Sequence, residues 1–203
     1  LRELRREEAR EDGVGRARVA DERAEKDASF KKESDPVPDN RKDALLPLAY
    51  FSIDPDYRVA AVLKPSTDSH IEMELWMPAE NWNGKFLAVG NGGWAGSIQT
   101  NAIANGLRRG YAAASNDTGH KGGSAAFALG HPEKLIDFGY RSMHEMAVRS
   151  KAIIQAFYRR GPQLSYYQGC STGGRQGMME AQRYPEDFDA IIAGAPVYNV
   201  VHL

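Results

Sequence analysis

Apolar residues recur with two different periods along most of the chain after residue 44. In residues 71–75, Ile71, Met73 and Leu75 alternate with glutamates, which predicts a strand with one buried face. In residues 97–109 and 138–160, apolar residues three and four positions apart predict amphipathic helices. In total, the pattern predicts strands at residues 58–64, 70–77, 85–89, 111–115, 164–168 and 189–193, and helices at residues 97–109, 138–160 and 174–184.

The order of these elements predicts the fold class. Two strands joined by a short turn come first, which favours antiparallel pairing, and strands and helices alternate after them. Such alternation is typical of a mostly parallel sheet that carries helices on its faces. We therefore predict an α/β protein, a three-layer sandwich with a mostly parallel sheet.

The first 43 residues differ from the rest in composition. They hold 12 Lys and Arg and 13 Asp and Glu, and Phe30 is their single aromatic residue. Such a segment cannot bury enough apolar surface to offset the entropy lost on ordering. We interpret residues 1–43 as a charged, disordered leader and residues 44–203 as part of one α/β domain. The chain begins with Leu1, shows no signal peptide and ends just after an apolar strand, so we interpret it as a piece of a longer polypeptide.

Composition argues against several classes of partner and ligand. With 26 Lys and Arg against 27 Asp and Glu, the chain has no basic excess for binding nucleic acid or an anionic membrane. Its apolar runs are far shorter than the roughly 20 residues that span a bilayer. A single cysteine, Cys170, excludes a disulfide framework and a multi-thiolate metal site within the chain. We expect no metal site, no nucleic acid and no membrane partner.

The strongest candidate for chemistry is the sequence Gly-Cys-Ser-Thr-Gly at residues 169–173. A predicted strand precedes it and a predicted helix follows it, which is the setting of a nucleophile elbow. In such a turn the serine, here Ser171, has a strained backbone and an exposed hydroxyl, and small neighbours let strand and helix approach closely. The pattern predicts Ser171 as a nucleophile. A glycine-rich turn with a bystander serine is the alternative.

A second glycine-rich sequence, Gly-Asn-Gly-Gly-Trp-Ala-Gly, follows the strand at residues 85–89. A serine nucleophile needs two N–H donors for the oxyanion, one from the next residue and one from a loop after an earlier strand. Thr172 would supply the first amide. Gly92 and Gly93 both fit the second position, and we favour Gly93. A turn that serves packing alone is the alternative.

The same loop also allows a different function. Gly90, Gly92 and Ala95 match a loose dinucleotide-binding fingerprint, and Asp117 follows the next strand at the position of a ribose ligand. Against an oxidoreductase domain of this kind, Trp94 occupies the turn where the pyrophosphate needs room, and the sequence around Ser171 is left unexplained.

The histidines offer weaker candidates. His144 and Glu145 lack the second histidine of a zinc helix, because residue 148 is valine, so we expect a structural His144. His120 follows a predicted strand and precedes Ser171 in the chain, whereas the base of this architecture normally follows the serine. We expect His120 to fix a loop and His131 to lie in a surface turn.

The motifs taken together resemble the tannase and feruloyl esterase family of α/β-hydrolases. The resemblance covers about residues 58–203 and rests on the sequences at residues 82–86, 90–96, 117–120, 140–145, 169–177 and 193–196. It implies an α/β-hydrolase catalytic domain of which this chain carries a part, ending after the nucleophile elbow and the following strand. It also implies a serine ester hydrolase that acts on galloyl, feruloyl or related aromatic esters through an acyl-enzyme. A non-catalytic binding module of the same fold is the remaining alternative.

The resemblance has further implications for residues outside the chain. The catalytic Asp and His would lie beyond Leu203, together with a cysteine that pairs with Cys170 in a disulfide. A lid domain that sets substrate choice and holds a structural calcium would also lie there, so we expect no cofactor in this chain. We therefore expect the chain alone to be inactive, and the parent protein to be secreted or periplasmic with a small aromatic ester as its partner.

Overall fold

The computed structural model describes residues 58–198, so the leader predicted for residues 1–43 lies outside the described residues. The strands within them are β1 Arg58–Leu63, β2 Ile71–Trp76, β3 Lys85–Val89, β4 Ala112–Asn116, β5 Leu164–Cys170 and β6 Ala190–Gly194. The helices are α1 Thr100–Arg108, α2 Pro132–Ile136, α3 Ser142–Tyr158 and α4 Thr172–Arg183, with a 3₁₀ turn at Ala125–Ala128 and a π turn at Asp137–Arg141.

The described strands form one six-stranded sheet in the order β1-β2-β4-β3-β5-β6. β1 pairs antiparallel with β2, and β2 pairs antiparallel with β4. The other neighbours, β4 with β3, β3 with β5 and β5 with β6, are parallel. The predicted combination of an antiparallel start and a mostly parallel sheet is confirmed.

Helices cover both faces of the sheet, which confirms the three layers. Side chains alternate between the faces along each strand. On one face, a Cβ atom added to Gly106 of α1 would lie 2.8 Å from the Ala113 Cβ, so this helix approaches β4 very closely. On the other face, the core combines α3 with the sheet; its buried members are Met73, Leu75, Met77, Phe86, Ala88, Ala112, Ala114, Met143, Met146, Ala147, Ile154, Tyr167 and Phe188.

The helix predicted at residues 138–160 is part of a longer helical run in the structure. α3 itself begins at Ser142, and the π turn joins it to the short helix α2, which begins at Pro132. Proline is well suited to the first turn of a helix, where its missing N–H needs no partner. The prediction of a surface turn around His131 was therefore incomplete, because His131 directly precedes a helix.

Parallel pairing brings the two glycine-rich motifs together. β3 and β5 are neighbours, and Val89 at the end of β3 pairs with Gln168 near the end of β5. The loop at residues 90–96 and the turn at Ser171 therefore leave the sheet at the same edge, side by side. In an open parallel sheet, the carboxyl ends of the strands are the usual place for a ligand site.

Candidate active site

Ser171 is the single residue between the end of β5 and the beginning of α4. Its backbone has φ 59° and ψ −118°, a conformation that residues with side chains rarely adopt and that is costly to hold. Its N–H donates to the Gly194 carbonyl oxygen at 3.0 Å, and its carbonyl oxygen accepts from the Arg175 N–H at 3.0 Å. The surrounding backbone thus holds the strained serine in place at the N-terminus of a helix.

Glycines make this sharp turn sterically possible. A Cβ atom on Gly169 would lie 2.4 Å from the carbonyl oxygen of Gly173, and one on Gly174 would lie 2.4 Å from that of Gly194. A Cβ atom on Gly173 would lie 2.8 Å from the carbonyl oxygen of Asn91 in the neighbouring loop. All three contacts are with backbone, which cannot move aside as a side chain can. Any larger residue at these positions would push strand, helix and loop apart.

The loop at residues 90–96 lies directly against the N-terminus of α4. The Gly90 N–H continues the sheet by donating to the Gln168 carbonyl oxygen at 2.9 Å. The Thr172 hydroxyl donates to the Gly93 carbonyl oxygen at 2.8 Å, and Gly93 has φ +55°. The structure therefore brings together Gly93, Thr172 and Ser171, the three residues that the sequence analysis assigned to one site.

His120 holds the same loop from its other side. Its Nε2 donates to the Trp94 carbonyl oxygen at 2.7 Å, and its Nδ1 lies 3.1 Å from the Thr118 hydroxyl oxygen. The ring stacks on Phe127 with centroids 3.7 Å apart, and Trp94 stacks on Phe138 at 5.0 Å. Both ring nitrogens of His120 have protein partners, as expected for a residue that fixes a loop.

His144 and His131 each lie against a carboxylate. His144 Nδ1 lies 2.6 Å from Asp187 Oδ2, and its ring stacks on Tyr184 with centroids 3.8 Å apart. The prediction of a structural, hydrogen-bonded His144 agrees with these contacts. His131 Nδ1 lies 3.0 Å from Asp68 Oδ2 on the surface.

Arg175, in the first turn of α4, binds the π turn and brings a positive charge near Ser171. Its guanidinium donates to the carbonyl oxygens of Phe138 at 3.0 Å and Gly139 at 2.8 Å, both within the π turn. Its carbon Cζ lies 4.8 Å from the centre of the Phe138 ring. Burial lowers the pKa of Arg175. Arginine is effectively always protonated in proteins, so a positive charge lies one helical turn from Ser171.

Two buried polar contacts are absent from the predictions made from sequence. One joins the side-chain amides of Asn91 and Gln176 at 3.2 Å. The other places the fully buried carboxyl of Glu180 beside Asp187, where burial and the neighbouring negative charge raise the pKa of Glu180 to about 8. In the sequence, Gln176 and Glu180 lie in a predicted helix and Asn91 in a glycine-rich loop. Their positions indicate polar groups in closely packed segments but do not identify the partners of those groups.

The dinucleotide alternative fits the structure poorly. A dinucleotide fingerprint opens directly into a helix whose N-terminus binds the pyrophosphate. Here β3 ends at Val89 and α1 begins only at Thr100. Asp117, the candidate ribose ligand, is fully buried, and its carboxylate accepts from the N–H groups of Glu72 and Gly119. It is thus committed to holding the end of β4.

Cys170 is an exposed free thiol, and the chain contains no second cysteine to pair with it. In residues 58–198, no three His, Cys, Asp or Glu side chains are grouped as metal ligands. No helix in this part of the chain is long and apolar enough to cross a membrane. His202 lies outside the described residues.

Comparison with known proteins gives matches that cover about 70% of this chain. The chain is 47% identical over 146 residues to a probable feruloyl esterase B-1 of Aspergillus terreus, covering 72% of this chain and 27% of that protein. It is 44% identical over 147 residues to an uncharacterized esterase of Xanthomonas campestris, covering 71% of this chain and 26% of that protein. The chain thus spans just over a quarter of the length of these relatives.

Solved structures show the same relationship. Feruloyl esterase B from Aspergillus oryzae matches with a TM-score of 0.68 and 40% identity, over 70% of this chain and 28% of that one. A tannin acyl hydrolase from Aspergillus niger matches with a TM-score of 0.58 and 26% identity, over 71% and 33% of the two chains. The predicted α/β-hydrolase type of fold is therefore confirmed, in the form of a partial domain.

The family itself follows from the same residues that form the site. The family model described as "Tannase and feruloyl esterase" matches residues 57–203, which include β1 to β6, the loop at residues 90–96 and the turn at Ser171. This chain belongs to the tannase and feruloyl esterase family.

Proposed function

We propose that the full-length protein that carries this chain is a serine carboxylic-ester hydrolase with Ser171 as its nucleophile. The observation that carries the proposal is the strained backbone of Ser171 at φ 59°, at the N-terminus of α4 and beside the loop that contains Gly93. A strained conformation persists only where the surrounding structure imposes it, and such residues concentrate at active sites. Membership of an esterase family supports the same conclusion.

The proposed reaction proceeds in two steps. A base takes the proton of the Ser171 hydroxyl as its Oγ attacks the ester carbonyl carbon. The N–H groups of Gly93 and Thr172 stabilise the oxyanion, the alcohol leaves with the proton, and an acyl-enzyme remains. Water then attacks the acyl carbon, and the carboxylic acid is released as Ser171 regains its proton.

The proposed substrates are esters of phenolic acids of the galloyl or feruloyl type, or related aromatic esters. This follows from the family and from relatives that carry the name feruloyl esterase. We further propose that the parent protein is secreted or periplasmic and that Cys170, an exposed thiol next to Ser171, forms a disulfide in it with a cysteine from another part of the polypeptide.

The proposal also includes the inactivity of the 203-residue chain on its own. A serine hydroxyl needs a base within hydrogen-bond reach to act as a nucleophile at neutral pH. His120, His131 and His144 are engaged with other groups. None of these three, nor His70 beside Glu72, hydrogen-bonds the Ser171 hydroxyl. On this ground and on the family resemblance, we assign the histidine that serves as base and the aspartate that orients it to a part of the full-length protein outside this chain.

A labelling experiment tests the assignment of Ser171. A fluorophosphonate probe should label Ser171 in the full-length protein, and Ser171→Ala should abolish the labelling and lower kcat on methyl ferulate or methyl gallate by several orders of magnitude, as expected when a covalent route is lost. The control is Ser124→Ala, an exposed serine that caps the 3₁₀ turn. Labelling at another serine, or full activity of Ser171→Ala, would contradict the proposal.

A further inference from the structure

Two buried amide side chains join the two glycine-rich motifs of the site. Asn91 belongs to the loop after β3 and is 3% exposed, and Gln176 belongs to α4 and is 1% exposed. They are separated by 85 residues in the chain. Gln176 lies five positions after Ser171 on the helix that begins at the serine, so it ties the loop to the element that carries the proposed nucleophile.

The hydrogen bonds of this pair are reciprocal. Gln176 Oε1 accepts from the backbone N–H of Asn91 at 3.0 Å, and Gln176 Nε2 donates to Asn91 Oδ1 at 3.2 Å. Asn91 Nδ2 donates in turn to the carbonyl oxygens of Ser97 and Asn116, both at 2.9 Å. The Tyr167 hydroxyl lies 3.2 Å from Gln176 Oε1 and donates to the Gly173 carbonyl oxygen at 2.8 Å.

This arrangement fixes the loop at both of its ends. Through Asn91, the start of the loop is bonded to α4, and through the Ser97 carbonyl its far end is bonded to the same side chain. Gly93, the proposed oxyanion donor, lies between these points. Buried polar groups that are fully hydrogen-bonded rigidify their surroundings, because breaking one bond leaves a costly unpaired group.

We propose that Gln176 and Asn91 are positioning residues that set the distance between the Gly93 amide and Ser171. The inference rests on the proposed function, since it concerns the same oxyanion site. Neither residue needs to touch the substrate. Their amides hold the loop and the helix in one relative position, so that the N–H of Gly93 is already in place when negative charge develops on the ester oxygen.

The test replaces the amide without changing its size. Gln176→Glu removes the Nε2 donor and places a carboxylate oxygen against Asn91 Oδ1, so the two groups repel each other. Gln176→Met removes the donor and the acceptor without adding charge. The matched control is Gln182→Glu, because Gln182 lies on the same helix and is exposed. All variants are made in the full-length natural polypeptide and assayed on methyl ferulate.

We expect both Gln176 variants to lower kcat roughly ten- to hundredfold, the loss that follows from a small displacement of a group that stabilises the transition state. KM should change less than about threefold, because ground-state binding does not depend on the oxyanion donor. The kcat of Gln176→Glu relative to that of the wild type should recover towards low pH, where the protonated carboxyl can again donate to Asn91. Gln182→Glu should match the wild type.

The outcomes separate this inference from the proposed function. Ser171-dependent hydrolysis by the wild type, with kcat unchanged in Gln176→Met or with kcat and KM altered together, would overturn the positioning role and leave Ser171 as nucleophile. Absence of Ser171-dependent hydrolysis in the wild type would overturn both. If Gln176→Glu does not fold, as judged by its melting curve, Gln176→Met decides, and an Asn91→Asp variant, which loses the donors to Ser97 and Asn116, gives a second reading.

Discussion

The hydroxyl of Thr172 donates a hydrogen bond of 2.8 Å to the carbonyl oxygen of Gly93, across 79 residues of sequence. Thr172 is the first residue of α4, and its own N–H is one of the two proposed oxyanion donors. The two residues whose N–H groups are the proposed oxyanion donors are therefore bonded directly to each other. The amide pair of Asn91 and Gln176 links the same two elements a second time.

This link leads to a prediction for the Thr172 hydroxyl. Thr172→Val keeps the shape of the side chain and removes the donor. The free energy that holds the loop against α4 should fall by about 1 kcal/mol, the typical net value of a neutral hydrogen bond. We expect kcat to fall about five- to tenfold on this basis. Thr172→Ser, which keeps the hydroxyl, should stay close to the wild type. Equal kcat values for the valine and serine variants would show that the hydrogen bond is irrelevant to catalysis.

Gly92 and Gly93 form a natural matched pair for a second prediction. A Cβ atom at either position would meet no other atom within 4 Å, so crowding does not distinguish them. Gly93 has φ +55°, however, whereas Gly92 has no such positive φ. Gly93→Ala should therefore lower the free energy of unfolding by about 1 kcal/mol and Gly92→Ala by less than about 0.5 kcal/mol. Denaturant unfolding of both variants measures the difference, and the reverse order would contradict the backbone argument.

The buried carboxyl of Glu180 predicts a specific dependence of stability on pH. The pKa of Glu180 rises from 4.5 to about 8 in the folded protein, because of burial and of the negative charge of Asp187. Between these two values the folded state holds a proton that the unfolded state releases, so the free energy of unfolding should fall as the pH rises. The contribution is fully present below about pH 4.5 and is lost above about pH 8.

Glu180→Gln isolates this contribution from those of other titrating groups nearby. Glutamine resembles the protonated acid and cannot ionise, so the variant should be more stable than the wild type at about pH 9 and should gain little at about pH 4.5. Glu80→Gln, at an exposed position, is the control. Thermal melts across this range provide the measurement, and parallel curves for the wild type and Glu180→Gln would refute the assignment.

Elements with strong local patterns could be predicted from sequence. The strands at residues 85–89 and 111–115 are short apolar runs, and the structure has strands there because both faces of the sheet are covered. α4 was predicted to begin at residue 174, but it begins at Thr172. Gly173 and Gly174 have a low helix propensity, so the local pattern did not fix where the helix begins. The two glycines are needed because the backbone of Asn91 and Gly194 lies against them, and this contact is known only from the structure.

The residues of the candidate site that lie in recognisable motifs could be predicted from sequence. Strand–turn–helix context around Ser171 and a glycine-rich loop after an earlier strand indicated Ser171, Thr172 and Gly93, and parallel pairing of β3 with β5 explains why they meet. The partners of Gln176 and Glu180 could not be predicted. Their contacts depend on which residues of another element lie opposite, and a single sequence carries no signal for that register.

The π turn at Asp137–Arg141 has a consequence for any change in the length of this segment. A π turn holds one residue more than the α-helical turn it replaces, so it corresponds to a one-residue insertion within a continuous helix. Deleting Gly139 would convert this segment into an ordinary α-helical turn and would withdraw the carbonyl group that Arg175 Nη1 binds. The extra residue thus links the length of this segment to the anchoring of Arg175, in the first turn of the helix that follows Ser171.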